Sequence, residues 1–161
     1  VLLNLAIGQG EILLTPIEML CFVSAIANDG VYVEPRCVKR IESERKAYTL
    51  SGKRIRIPIS AATIEAIRRG MLAVVESEEG TGRIARLPGI QVAGKTGTAQ
   101  NPHGEDHAWF VCFAPYENPE ISVCVLVENA GHGGSVAAPL AKEILRAYFG
   151  VQEGTQEVAI P

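Results

Sequence analysis

The chain has 161 residues, 47% of them hydrophobic, which is enough to bury a core and favours one domain. Charged residues make up 20% and the formal net charge is −3, with no basic run or Lys/Arg cluster to suggest a nucleic-acid surface. The longest apolar stretches, such as Ile121 to Val127, fall far short of a bilayer span. The first residues, Val1-Leu2-Leu3-Asn4, lack a start methionine, a basic n-region and a small-residue cleavage site, so the chain is expected to begin inside something longer.

In chain order, Gly8-Gln9-Gly10 reads as a turn. Thr15-Pro16-Ile17-Glu18 then starts a helix by three signals: Thr15 can cap, Pro16 suits the first helical position, and Glu18 completes a capping box. Ile17, Leu20, Ser24 and Ala27 follow with helical spacing, and Gly30 ends the run. The stretch 31–41 is rich in β-formers but interrupted by Pro35, which predicts an edge or bent strand. The polar stretch 42–56 predicts a surface loop or hairpin, with a solvated charged face that needs no partner. Ser60 can cap a second helix running to about Ser77, with Ile64, Ile67, Met71, Val74 and Val75 as its apolar stripe. Gly80-Thr81-Gly82 breaks it.

From Gln91 onward the period switches to that of strands, over 91–100, 108–115 and 121–128. Tyr116-Glu117-Asn118-Pro119 is turn-like and joins the last two as a hairpin. After the glycine-rich stretch 129–134, Ser135 or Ala138 opens a last helix, since Pro139 is tolerable only in the first turn. Leu140, Ile144, Ala147 and Tyr148 line one face of it, and Gly150 stops it. Residues 1–150 then form one α+β unit, antiparallel strands packed by helices, and 151–161 a mobile tail.

Cys21, Cys37, Cys112 and Cys124 match no zinc or C-x-x-C spacing and lie in apolar segments, where a free thiol behaves as a small hydrophobe. Cys112 and Cys124 fall on strands expected to pair, so a disulfide between them stays open. His103, His107 and His132 could suggest a metal site, but the glycine-rich or loop placement of His103 and His132 argues for solvated residues instead.

The segment with chemical content is Lys95-Thr96-Gly97-Thr98-Ala99-Gln100, on a predicted strand after the small residues Val92-Ala93-Gly94. S-x-x-K, S-D-N and K-T-G together are the signature of class A β-lactamases and penicillin-binding proteins. By itself the tripeptide is equally an ordinary strand with an exposed lysine and two β-formers. Chemically, an acyl-transfer site needs donors aimed at a developing oxyanion and groups that hold the substrate carboxylate. Thr96 and Thr98 offer hydroxyl donors, the Thr98 N–H can face an oxyanion, and Lys95 brings positive charge. Gly97 removes a Cβ that would block an extended peptide adding to the strand. Trp109, the only tryptophan, lies on the next strand and suits either a groove wall or the core.

Further segments carry a resemblance. His107-Ala108-Trp109-Phe110-Val111-Cys112-Phe113-Ala114-Pro115 resembles the strand that follows K-T-G in class B penicillin-binding proteins. Gly80-Thr81-Gly82, the stretch from Gly131-His132-Gly133-Gly134-Ser135 to Pro139, and Asn4-Leu5-Ala6-Ile7-Gly8-Gln9-Gly10 with Leu14-Thr15-Pro16 resemble the elongation-type group, penicillin-binding protein 2. The resemblance runs from Asn4 to about Phe149. It implies the C-terminal part of the transpeptidase/serine β-lactamase fold, and a parent D,D-transpeptidase that cross-links peptidoglycan stem peptides through a serine acyl-enzyme. It implies that β-lactams trap that serine, that no cofactor is needed, and that Lys95, Thr96 and Thr98 hold the terminal carboxylate and the oxyanion. It also implies a parent on the periplasmic face of the inner membrane beside a SEDS-type polymerase.

Two motifs of the family are missing. No S-x-N occurs, and the one S-x-x-K match, Ser43-Glu44-Arg45-Lys46, sits in a charged stretch with no apolar helix to hold serine and lysine on one face. The chain alone is therefore expected to be inactive, the nucleophile coming from an upstream part of the same domain. A serine β-lactamase, a D,D-carboxypeptidase and a non-catalytic module with a degenerate site are the alternatives.

Overall fold

The computed structural model describes residues 8–9, 12–43 and 46–152. Residues 4–7 and 10 of the N-terminal resemblance, Glu44 and Arg45, and 153–161 of the expected tail lie outside the described residues.

Helix α1 spans Pro16–Ala27 and opens as its sequence signals require. The Thr15 N–H donates to the Glu18 carboxylate at 2.8 Å, and the Glu18 N–H donates back to Thr15 Oγ1 at 3.4 Å. These bonds hold the Glu18 carboxyl below its ordinary pKa, the backbone donor contributing most. The buried row is Val23, Ile26 and Ala27 with Met19 beside it, while Ile17 stays 50% exposed. The predicted row of Ile17, Leu20, Ser24 and Ala27 is thus displaced around the helix. Apolar residues occur on several sides of α1, so spacing alone does not select the side that the sheet covers.

The expected single bent strand over 31–41 is two strands in two different sheets. β1 (Val31–Val33) pairs antiparallel with β4 (Arg54–Arg56), and β2 (Arg40–Glu42) with β3 (Ala47–Thr49). Pro35 lies between β1 and β2, where a proline cannot donate to a ladder. Cys37, in the same connection, is exposed rather than buried.

Helix α2 (Ala61–Glu76) is capped by Ser60, whose Oγ accepts the Thr63 N–H at 3.1 Å. Its stripe buries Ile64, Met71 and Val75, and also Arg68 at 6% exposure. The Arg68 guanidinium donates to the Ala27 carbonyl at 2.7 Å and to the Tyr116 carbonyl. It stacks over Phe113 and Tyr116 with centroid distances of 5.3 and 5.2 Å, and Asp29 approaches it at 3.5 Å. One side chain thereby joins the end of α1, α2 and the turn after the next sheet's central strand.

That sheet has the order β5-β6-β7, with β5 at Ala93–Ala99, β6 at His107–Ala114 and β7 at Ile121–Val127, all antiparallel. Its two faces follow the strand period of two. Ala108, Phe110, Cys112 and Ala114 of β6 join Val123 and the terminal helix α3 (Ala137–Phe149) in one cluster. Val111 and Phe113 join Ala93, Val23, Ile26 and Met71 in the other, under α1 and α2. The register sets Cys112 opposite Val123 and Cys124 opposite Val111, so the two thiols lie on opposite faces and both are free. Burial pushes the Cys112 thiol up to about 12.

Helix α3 begins at Ala137 without a side-chain cap and lays Ala137, Ala138, Ala141 and Leu145 on the sheet. The predicted face of Leu140, Ile144 and Tyr148 is real, but it points away from the sheet and is about half exposed. Small residues let the helix approach the strands closely, which favoured the alanine row over the row of larger side chains.

Candidate active site

β5 is an edge strand among the described residues: β6 flanks it on one side only. Alternation along β5 sends Lys95 and Gly97 toward the α1/α2 face and Thr96 and Thr98 toward the α3 face, matching their partners Val111, Trp109, Phe110 and Ala108. The Lys95 ammonium returns to the strand and donates to the Thr96 carbonyl at 2.6 Å.

Two loops close on the threonine face. The turn after α2 brings Thr81 Oγ1 to 2.9 Å from Thr96 Oγ1. The 131–135 loop crosses the β5–β6 ladder so closely that a Cβ on Gly133 would lie 2.0 Å from the Trp109 carbonyl oxygen and 2.5 Å from that of Gly97. This approach is open only to glycine. The loop puts His132 Nδ1 at 3.4 Å from Thr98 Oγ1 and then winds into α3, with the Ala137 and Ala138 N–H groups donating to the Gly133 carbonyl. Ser135, a candidate cap, instead donates its hydroxyl to the His132 carbonyl at 3.2 Å.

On the opposite face, a Cβ on Gly97 would meet Trp109 Cβ at 3.1 Å. The space that Gly97 leaves is therefore used by Trp109, which is partly exposed beside it. The start of β5 is set by Glu76, whose carboxylate accepts the Val92 N–H at 3.1 Å. Arg86 in turn ties the end of α2 by donating to the carbonyls of Val75, Glu76 and Ser77 at 2.8, 2.7 and 2.8 Å.

The structure thus gathers Thr81, Thr96, Thr98 and His132, with Lys95 and Trp109 on the other side of the strand. His132 was legible only as a loop residue, because its place depends on how the glycine loop folds back over β5. His107 is engaged by the Asn129 N–H at 3.0 Å. Ser43 lies at the end of the β2–β3 hairpin, in a sheet separate from β5, and its hydroxyl donates to the Lys46 carbonyl at 3.1 Å.

Residues 2–146 match the family model for the penicillin binding protein transpeptidase domain. The chain belongs to this family. It is 39% identical over 166 residues to peptidoglycan D,D-transpeptidase MrdA of Haemophilus influenzae, a match covering 91% of this chain and 25% of that protein. It is 34% identical over 155 residues to peptidoglycan D,D-transpeptidase PbpA of Mycolicibacterium smegmatis, covering 88% of this chain and 30% of that one. Among solved structures, the imipenem acyl-enzyme complex of penicillin-binding protein A from M. tuberculosis matches with a TM-score of 0.78 at 30% identity, over 89% of this chain and 33% of that chain. The chain therefore spans about a quarter to a third of the length of these relatives. The expected α+β fold and the class B, MrdA-type resemblance both stand.

Proposed function

We propose that this chain supplies the Lys95-Thr96-Gly97 strand of a peptidoglycan D,D-transpeptidase, which cross-links stem peptides through a serine acyl-enzyme. The observation that carries the reading is the geometry of β5: an edge strand with Thr96 and Thr98 on one face and two loops closing beside them. A stem peptide adds to the strand in extended form. The Thr96 and Thr98 hydroxyls hold its terminal carboxylate, and the Thr98 N–H faces the carbonyl oxygen as it takes up charge. Lys95 supplies positive charge at the same edge, and Trp109 walls the groove on the Lys95 side. β-Lactams bind as mimics of the donor peptide.

The serine and its base come from a part of the parent outside these 161 residues, so the chain alone is inactive. Ser43 has no packed helix beneath it and spends its hydroxyl on its own turn. The parent works on the periplasmic face of the inner membrane with a SEDS-type polymerase.

Intact-mass spectrometry after incubation with benzylpenicillin tests this. The 161-residue chain is expected to stay unmodified, whereas a longer chain that includes an upstream S-x-x-K serine gains one drug mass. An adduct on the short chain, or no adduct on the long one, overturns the reading. Rapid loss of the adduct to water would assign the parent to the β-lactamases or carboxypeptidases instead.

A further inference from the structure

Each threonine of β5 meets a side chain brought in from elsewhere in the chain. Thr96 Oγ1 lies 2.9 Å from Thr81 Oγ1, and Thr98 Oγ1 lies 3.4 Å from His132 Nδ1. The backbone around His132 is fixed at every step. Its carbonyl accepts the Ser135 N–H at 3.2 Å, the Val136 N–H at 3.1 Å and the Ser135 hydroxyl at 3.2 Å. The Gly131 N–H before it donates to the Asp106 carbonyl at 2.8 Å, and Gly133 after it is pressed onto the Gly97 and Trp109 carbonyls. His132 itself is exposed, so this precise placement serves no packing in the core.

The chemistry turns on one hydrogen. A threonine hydroxyl carries a single proton, and a carboxylate only accepts. If His132 Nδ1 is bare, the Thr98 proton goes to the ring, and Thr98 turns its lone pairs toward an incoming carboxylate. If Nδ1 carries a hydrogen, the ring donates to Thr98 Oγ1, and the Thr98 proton is free for the carboxylate. A hydrogen bond to a charged acceptor is stronger than one to a neutral nitrogen, so an anionic ligand draws the pair into the second arrangement. A separation of 3.4 Å is long for such a bond, as polar contacts of reactive sites are before a ligand tightens them. We propose that His132 is a positioning residue of this site: its Nδ1–H holds the Thr98 hydroxyl in the donor orientation that binds a ligand carboxylate. The inference rests on the transpeptidase reading of β5, and it supplies the reason why Thr98 donates rather than accepts. The Thr81 hydroxyl stands in the same relation to Thr96.

The test uses the longer chain that includes the upstream S-x-x-K serine and follows its acylation rate with benzylpenicillin and with benzylpenicillin methyl ester, which lacks the anionic acceptor. His132→Ala removes the ring, whereas His132→Asn puts an amide nitrogen close to the place of Nδ1. His132→Ala is expected to slow acylation by benzylpenicillin about tenfold, the scale of one charge-assisted hydrogen bond, and to change the rate with the ester by less than about twofold. His132→Asn should recover most of the loss. With Thr98→Val already present, His132→Ala should cost nothing further, because both changes remove the same donor. Equal slowing of acid and ester overturns the inference and makes His132 a structural anchor of the loop. Full additivity with Thr98→Val overturns it in favour of a direct contact between His132 and the ligand. Unchanged rates in His132→Ala overturn it and leave the transpeptidase reading standing. Absence of acylation in the unsubstituted longer chain overturns that reading and the inference with it.

Discussion

Position 68 shows how one charged side chain is admitted to a core. Arg68 donates to two main-chain carbonyls and lies against the rings of Phe113 and Tyr116, so its buried charge is solvated by protein. Arg68→Met leaves both acceptors without a donor. It is expected to lose about 2–4 kcal/mol in urea unfolding, since an unsatisfied buried group costs about 1–3 kcal/mol. Arg68→Lys recovers only part of this, because an ammonium lacks the planar fork that spans two acceptors. Glu18 makes a complementary prediction about pH. Its folded pKa is held down by the Thr15 backbone and hydroxyl donors, so it binds its proton less readily folded than unfolded. The stabilisation is therefore present above the unfolded value and is lost as pH falls through the folded one. A thermal-unfolding series should show the parent more stable than Glu18→Gln at neutral pH and the difference vanishing below the usual carboxylate range. The capping box was legible because it is a local pattern. Arg68 was not, because charge alone reads as surface and its partners come from 41 and 48 residues away.

Among the elements, two glycines separate local from tertiary demand. Gly70 lies inside α2 with open space where a Cβ would stand. Gly70→Ala should stabilise by about 0.5–1 kcal/mol through helix propensity alone. Gly133 is the opposite case, with the ladder 2.0 Å from where its Cβ would stand. Gly133→Ala must lift the 131–135 loop from β5, at a cost of about 1–3 kcal/mol in chemical denaturation and with a change in Trp109 fluorescence. The three main helices and strands β5–β7 followed from caps, breakers and periods, whereas 31–41, read as one bent strand, is two strands in two sheets. The packed sides of α1 and α3 did not follow either, because both helices carry apolar residues on more than one side. Burial then depended on which row fits the sheet closely, and on α3 that row is alanine rather than leucine and isoleucine.

For the molecule as a whole, β6 contributes to both clusters, giving alternate side chains to α3 on one face and to α1 and α2 on the other, and α2 also reaches both through Val75 and Met71. Cooperativity follows from that sharing. Leu145→Ala in α3 should cost about 2–5 kcal/mol as a fully buried truncation. Although the lesion lies on one face, Trp109 fluorescence and far-ultraviolet circular dichroism should still report a single coincident urea transition. Separate transitions would mean that the two faces unfold independently. By itself the sequence determined the α+β class, the existence of the three main helices, the β5–β7 strands and the K-T-G segment, because caps, turn residues and two-residue alternation are written within a few positions of one another; the start of α3 at Ala137 was not among them, since no side chain caps it. Only the tertiary structure decided that the 131–135 loop lies across β5 and that His132 and Thr81 stand beside Thr98 and Thr96. Those contacts join residues far apart in the chain, and no local propensity encodes which distant loop will fill the space beside a strand.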